Sequence, residues 1–238
     1  MSTRGKRAHQ LHRRHSLEAE PSYHLEAVQE YWLDLPNREL WIRSMDLLDG
    51  PDDEPGVEYR MASRVIMNLH ILRNDPKRGG DPVTAHLHSC GGHWNEGMAI
   101  YDSIRAMPYE TTIVSYTHAR SMSSIILQAA HRRYLMPNSY VMIHRGTLSM
   151  SGEVQTVQSN LDFSRRNDDE RMMEIYLDRM ECSREFGKTP RPRIRAKLEA
   201  LWGQRGDVFL TPQEALAWNL ADGVVTGFKR DGGVEVAS

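Results

Sequence analysis

Cysteine is nearly missing from this chain of 238 residues, with Cys90 and Cys182 the only two. A disulfide-stapled scaffold is therefore excluded, a zinc ribbon lacks its ligands, and the composition fits a reducing compartment, so a cytoplasmic location is expected. Long apolar runs are missing as well. Stretches such as SIILQAA at 124–130 are broken well short of the roughly 18 residues that cross a bilayer, so no membrane span is expected. The first fifteen residues contain no acid, and no apolar segment follows them, which excludes a secretory signal. Internal repeats are absent too.

The composition is that of an ordinary globular protein: 39% hydrophobic, with 30 basic and 32 acidic side chains and a net charge of −2. The length allows one large domain or two small ones and a sizeable core. Five of the basic residues (Arg4, Lys6, Arg7, Arg13, Arg14) sit in those first fifteen positions, so the remaining body is acidic. Such a body does not suit nucleic acid. Residues 1–37 are expected to be a basic, disordered arm, 38–226 one domain and 227–238 a tail.

From about residue 38, short β-like runs alternate with helical ones, the signature of the α/β class. Leu40, Trp41 and Ile42 predict a strand, and Met61, Val65, Leu69 and Leu72, four and three apart, predict a helix with one core face. VTAHLHS predicts a strand that leads through Gly91-Gly92 into a helix bearing Met98, Tyr101 and Ile104. A second unit follows: the strand TTIVSY (111–116), a turn at HAR, and an apolar helix from about Ser121. RYLM and YVMIH predict two more strands. Over 152–182, Val154, Val157, Leu161, Met172, Ile175, Tyr176 and Met180 fall at helical spacings among many charges, predicting a long helix that leaves the body. KTPRPR (188–193) is a breaker, Ile194, Leu198 and Leu201 mark a short helix, and Thr211, Pro212 and Glu214 supply a capping box with a first-turn proline. A short strand and a frayed end are expected after Val225.

Four features carry chemistry, and each has a plainer reading. Ser121 sits where a β-branched strand meets an apolar helix, so backbone N–H groups and the helix dipole could stabilise an oxyanion there; an N-cap serine looks the same. His144 ends the strand YVMIH and is placed to act as a base, although the chain has eleven histidines. Asp207, opening VFL, could hold an imidazole in one tautomer, or it is a turn aspartate after Arg205-Gly206. Gly91-Gly92 could present a backbone N–H, or it is a simple turn.

Their surroundings decide between these readings. SCGGHWNEGMAIYDSI (89–104), RSMSSIILQAA (120–130), YLMPNSYVMIH (134–144) and DVFLTPQEALAWNLADGVV (207–225) occur in one order. In that order the chain resembles, over roughly 38–226, the proteolytic subunits of the ATP-dependent Clp protease family. That family shows Ser-Pro-Gly-Gly before a Gly-Met-Ala-Ile-Tyr-Asp helix, Ala-Ser-Met before an apolar helix, and Pro-Asn-Ser-Arg-Val-Met-Ile-His. The resemblance implies a spiral of β/β/α units of the kind shared with crotonases, with 152–182 as a projecting handle for oligomerisation. It implies a serine endopeptidase acting on unfolded proteins or peptides inside an oligomeric chamber, with no metal or cofactor. Ser121 would be the nucleophile, His144 the base and then acid, Asp207 the orienting carboxylate, and the N–H groups of Gly91 and Met122 the oxyanion hole. A homo-oligomer of stacked rings and a separate ATP-dependent unfoldase are the implied partners. The chain departs from the pattern at Cys90 for proline, Arg120 for a small residue and Arg145-Gly146 for Gln-Pro. Two other classes remain: an inactive ring subunit of the same fold, and a crotonase-like acyl-CoA enzyme.

Other clusters are weaker. His86, His88, Cys90 and His93 have metal-ligand residue types on a strand, but the resembled family has a core strand there. Asp168, Asp169, Glu170 and Glu174 read as a solvated helix face, and Met172, Met173 and Met180 as core or a subunit contact, with the subunit contact favoured.

Overall fold

The computed structural model describes residues 21–43, 56–147, 150–229 and 233–237. In chain order these form α1 (Pro21–Tyr31), β1 (Leu33–Asp34), β2 (Glu39–Ile42), α2 (Tyr59–Arg73), β3 (Val83–Ser89), α3 (Trp94–Arg105), β4 (Thr111–Arg120) and α4 (Met122–Leu127). The chain continues through β5 (Arg132–Leu135), β6 (Val141–Ile143), α5 (Val154–Met180), α6 (Arg191–Arg205), β7 (Val208–Leu210), α7 (Pro212–Ala217), β8 (Gly223–Phe228) and β9 (Val234–Ala237). The α/β class read from the sequence is the class observed.

The sheet runs β1-β2-β3-β4-β5-β8-β9, with β6 and β7 branching from β4. Its central pairs are parallel and its two ends, β1 with β2 and β8 with β9, are antiparallel. Parallel neighbours need crossovers, and α2, α3 and α4 supply them. Helix α2 starts where Glu58 accepts from the N–H groups of Arg60 and Met61. Its Met61, Val65, Leu69 and Leu72 are all buried, in one core with Leu40, Ile42, Ala85, Leu87 and Ile113 from the sheet. On the opposite face an aromatic row crosses the strands: Trp41 stacks on His86 at 4.8 Å, His86 meets Tyr116, and Tyr116 meets Phe228.

The fork at β4 positions the site. Thr112–Ser115 pair with β5, whereas Ala119 and Arg120 pair with Val141 and Met142 of β6. For that reason the turn expected at HAR is strand: the Ala119 N–H donates to the Tyr140 carbonyl at 2.8 Å, which keeps the chain extended to Arg120.

Three further expectations change. Residues 1–20 of the expected arm lie outside the described residues, but 21–37 contain α1 and β1, the latter paired with β2 through Leu33 and Leu40. The short helix expected around Ile194 runs fifteen residues, because Pro192 in its first turn starts α6 rather than ending it. Met172, Met173 and Met180 are at most 5% exposed and belong to the chain's own core, not to a subunit contact. The exposed apolar side chains of α5 lie in its first half, where Val154 and Phe163 are 80% and 60% exposed. That helix spans 27 residues, about 40 Å at 1.5 Å per residue.

Candidate active site

Strand β4 delivers Ser121 to the mouth of a cavity of about 660 Å³, which His144, Met122 and the first residues of α3 also line. Ser121 adopts φ +50° and ψ −124°, on the left-handed side that non-glycine residues avoid. The neighbours enforce this bend. Its N–H donates to Met142 O at 3.0 Å, and its carbonyl accepts from the Ser124 N–H at 3.0 Å and from Ser124 Oγ at 2.6 Å. A strained strand-to-helix turn of this kind lifts a hydroxyl clear of the backbone.

His144 follows β6, and its Nε2 lies 2.7 Å from Ser121 Oγ. On the other side of the ring Nδ1 lies 3.1 Å from Asp207 Oδ1. The register explains a contact that spans 63 residues. β6 and β7 are antiparallel with Ile143 opposite Val208, so the next pair outward is His144 and Asp207. A carboxylate against Nδ1 holds the proton on that nitrogen and leaves Nε2 free to accept from the serine. The three residues picked from the sequence thus form one hydrogen-bonded row, assembled from three separate segments.

The two glycines behave differently. Gly91 is buried behind Ser121, and its N–H faces Ser89 Oγ at 3.4 Å. Gly92 is exposed and lines the cavity. Both have positive φ, and neither tolerates a Cβ: at Gly91 it would lie 2.7 Å from the Ser121 Cβ, and at Gly92 2.4 Å from the backbone of Val57. Val57 pins the turn by donating to Gly91 O and accepting from the His93 N–H. Met122 occupies the first position of α4, where a backbone N–H has no acceptor within the helix. Its side chain packs on Gly97.

The wall opposite Ser121 is α5, which turns Asn160, Ser164, Asp168 and Met172 toward the cavity at intervals of four. Asp168 and Asp169 are half-buried there, which corrects the solvated face expected of them. Burial pushes the Asp169 carboxyl above its ordinary range, against the pull of Arg145. Glu170 and Glu174 instead pair with arginines of α6: Arg195 reaches both, and Arg191 reaches Glu174.

The histidine-rich strand has other engagements. His86 Nδ1 lies 3.0 Å from the Tyr116 hydroxyl and Nε2 3.4 Å from Glu39. Among the described residues no three His, Cys, Asp or Glu side chains converge as metal ligands. Nor, among those residues, is any helix long and apolar enough to cross a membrane. Sequence reasoning missed Gly92 as the exposed glycine, the cavity-facing aspartates, and Tyr176, whose hydroxyl meets Ser124 Oγ at 2.7 Å. The interval of four from 160 to 172 was the available signal for the aspartates.

Comparison with known proteins agrees with this architecture. A family model described as Clp protease matches residues 54–227. The ATP-dependent Clp protease proteolytic subunit 2 of Pseudomonas aeruginosa is 31% identical over 172 residues, covering 71% of this chain and 77% of that protein. The corresponding subunit of Deinococcus radiodurans is 25% identical over 181 residues, covering 75% and 81%. Subunit 3 of Streptomyces coelicolor is 28% identical over 175 residues, covering 71% of each. With that match extending across most of the sheet, the cavity and the row from Ser121 to Asp207, the chain belongs to the Clp protease family.

Proposed function

We propose that this chain is a serine endopeptidase that hydrolyses peptide bonds in unfolded proteins or peptides, with Ser121, His144 and Asp207 as its triad. The observation that carries the reading is His144 bridging Ser121 Oγ at 2.7 Å and Asp207 Oδ1 at 3.1 Å beside an open cavity. As the Ser121 oxygen bonds to the substrate carbonyl carbon, its proton passes to His144 Nε2. Asp207 stabilises the resulting imidazolium. When the carbon–nitrogen bond breaks, His144 returns the proton to the leaving amine, and water releases the acyl group by the same steps in reverse.

The tetrahedral oxyanion needs two N–H donors. Met122 is one. For the other, Gly92 replaces the expected Gly91: Gly92 is exposed to the cavity, whereas Gly91 is buried with its N–H toward Ser89 Oγ. Glycine at both positions lets the backbone approach that closely.

Assembly into rings and a separate ATP-driven unfoldase complete the reading; the relatives are named as proteolytic subunits of an ATP-dependent protease. The first half of α5 supports self-association, since Val154 and Phe163 leave apolar surface exposed there. At the end of the aromatic row Phe228 is half exposed and offers apolar area to a partner.

The decisive experiment is cleavage of a short fluorogenic peptide by the wild type and by Ser121→Ala, with fluorophosphonate labelling alongside. Loss of about 10⁴-fold or more in the variant is expected, together with label on Ser121 in the wild type only. Equal rates would end the peptidase reading, and acyl-CoA turnover surviving in Ser121→Ala would favour the crotonase-like alternative.

A further inference from the structure

We infer that Asp168 and Asp169 form a subsite for a cationic side chain, so that the preferred substrates carry lysine or arginine at P1, the residue whose carbonyl Ser121 attacks. This inference rests on the reading of Ser121 as nucleophile and deepens it by naming a substrate class.

Asn160, Ser164, Asp168 and Met172 stand one above another on α5, and all four border the cavity that contains Ser121 and His144. Met172, Met122 and Ile125 give that cavity apolar surface, against which the methylene stem of a lysine or arginine can pack while its head reaches a carboxylate. Ser164 Oγ donates to Asp168 Oδ2 at 2.7 Å and fixes that carboxylate in place.

Charge bookkeeping on the same helix makes the aspartates stand out. Glu170, Glu174 and Asp178 point toward α6 and are taken up by Arg191 and Arg195. Asp168 and Asp169 face the cavity and form no close ion pair among the described residues, Arg145 and Arg165 acting on Asp169 only at longer range. Among the described residues that line that space, Glu96, Asp168 and Asp169 are acidic and Arg145 alone is an arginine or lysine. One exposed cation against three carboxylates leaves the cavity negative. The half-buried Asp169 is already disfavoured as an anion by burial, a cost that a bound ammonium or guanidinium would relieve. At about 660 Å³ the space holds a lysine or arginine side chain together with the peptide backbone that presents it.

The test uses acetylated tripeptide aminomethylcoumarins that differ only in a P1 lysine, leucine or glutamate, cut by the full-length protein as it assembles. Wild type should prefer lysine over leucine in kcat/KM by about tenfold, with glutamate poorest. In Asp168→Asn/Asp169→Asn that ratio should fall to about one, while Asp169→Lys should move the preference toward glutamate. Leucine equal to or better than lysine in the wild type, or a ratio untouched in both variants, overturns the subsite. Binding of acetylated tripeptides ending in lysine or leucine to Ser121→Ala, measured by calorimetry, separates this inference from the one beneath it. If no peptide is cut yet the lysine product binds about tenfold more tightly, the subsite stands and the peptidase reading fails. If peptides are cut without lysine preference, the subsite fails and the peptidase reading stands. Equal binding without cleavage overturns both.

Discussion

The Tyr176 hydroxyl lies 2.7 Å from Ser124 Oγ, one helical turn from Met172, and neither Tyr176 nor Ser124 is among the described residues that line the cavity. Ser124 spends its one hydroxyl proton on the carbonyl oxygen of Ser121, so Tyr176 must be the donor to Ser124. Complete burial pushes the phenol far up and keeps it protonated in that role. A residue of α5 thereby holds the backbone of the strained serine through one intermediary. Tyr176→Phe removes the donor and little else. We expect kcat to fall about three- to tenfold with KM nearly unchanged, and stability to fall by about 1 kcal/mol. An equal change in KM and kcat would instead mark Tyr176 as packing alone.

Gly91 makes a sharper prediction. Its φ of +106° already disfavours any side chain, and a Cβ would stand 2.7 Å from Ser121 Cβ and 2.8 Å from Arg120 O. Backbone, not a flexible tip, would have to yield. Gly91→Ala should therefore cost about 2 kcal/mol or more and abolish cleavage by displacing the nucleophile. Gly80→Ala, where a Cβ meets nothing within 4 Å, is the control and should stay within about 0.5 kcal/mol of wild type. Similar denaturation midpoints for the two variants would contradict this account.

Much of the framework was legible because local signals agreed with the fold. The spacing of Met61, Val65, Leu69 and Leu72 named the buried face of α2, and Thr211 with Glu214 marked the start of α7 through a capping box that forms as expected. What the sequence concealed depends on pairing between distant segments. Nothing local in HAR signals strand; pairing with β6, and of Ala119 with Ser89 of β3, extends β4 to Arg120. The approach of Asp207 to His144 follows from the register of β6 on β7, invisible until both strands are placed. Charge was misleading along α5 for a related reason: four acids in one helical stretch look alike until α6 claims Glu170 and Glu174 and leaves Asp168 and Asp169 to the cavity.

The union of α5 and α6 is itself testable. Arg195 donates to both Glu170 and Glu174, and its hydrogen bond holds the Glu170 carboxyl below the usual 4.5. A depressed carboxylate contributes stability that is fully present above its unfolded value and is lost as pH falls through the folded one. Wild type should therefore exceed Arg195→Ala by about 0.5–1 kcal/mol at pH 7 in low salt, a margin suited to a largely exposed network. As pH falls from 4.5 through the depressed value, or in molar salt, the gap should close. Chemical denaturation of both proteins across pH checks this, and a gap indifferent to pH and salt would assign the effect to packing of the arginine stem.

Asp169 carries the opposite sign. Burial raises its carboxyl above the usual 3.8, so the folded state binds the proton more tightly than the unfolded one. Stability then falls as pH rises from below 3.8 through the raised value, and at neutral pH the penalty is complete. Asp169→Asn removes the titrating group. Its melting temperature should exceed that of wild type by about 1–2 °C at pH 7, and the advantage should vanish below pH 3.8. A cation bound there would account for a destabilising carboxylate kept in the cavity. The same variant that melts higher should thus lose its preference for lysine, and a variant that melts higher yet cuts with unchanged preference would mean that the carboxylate is held there for another reason.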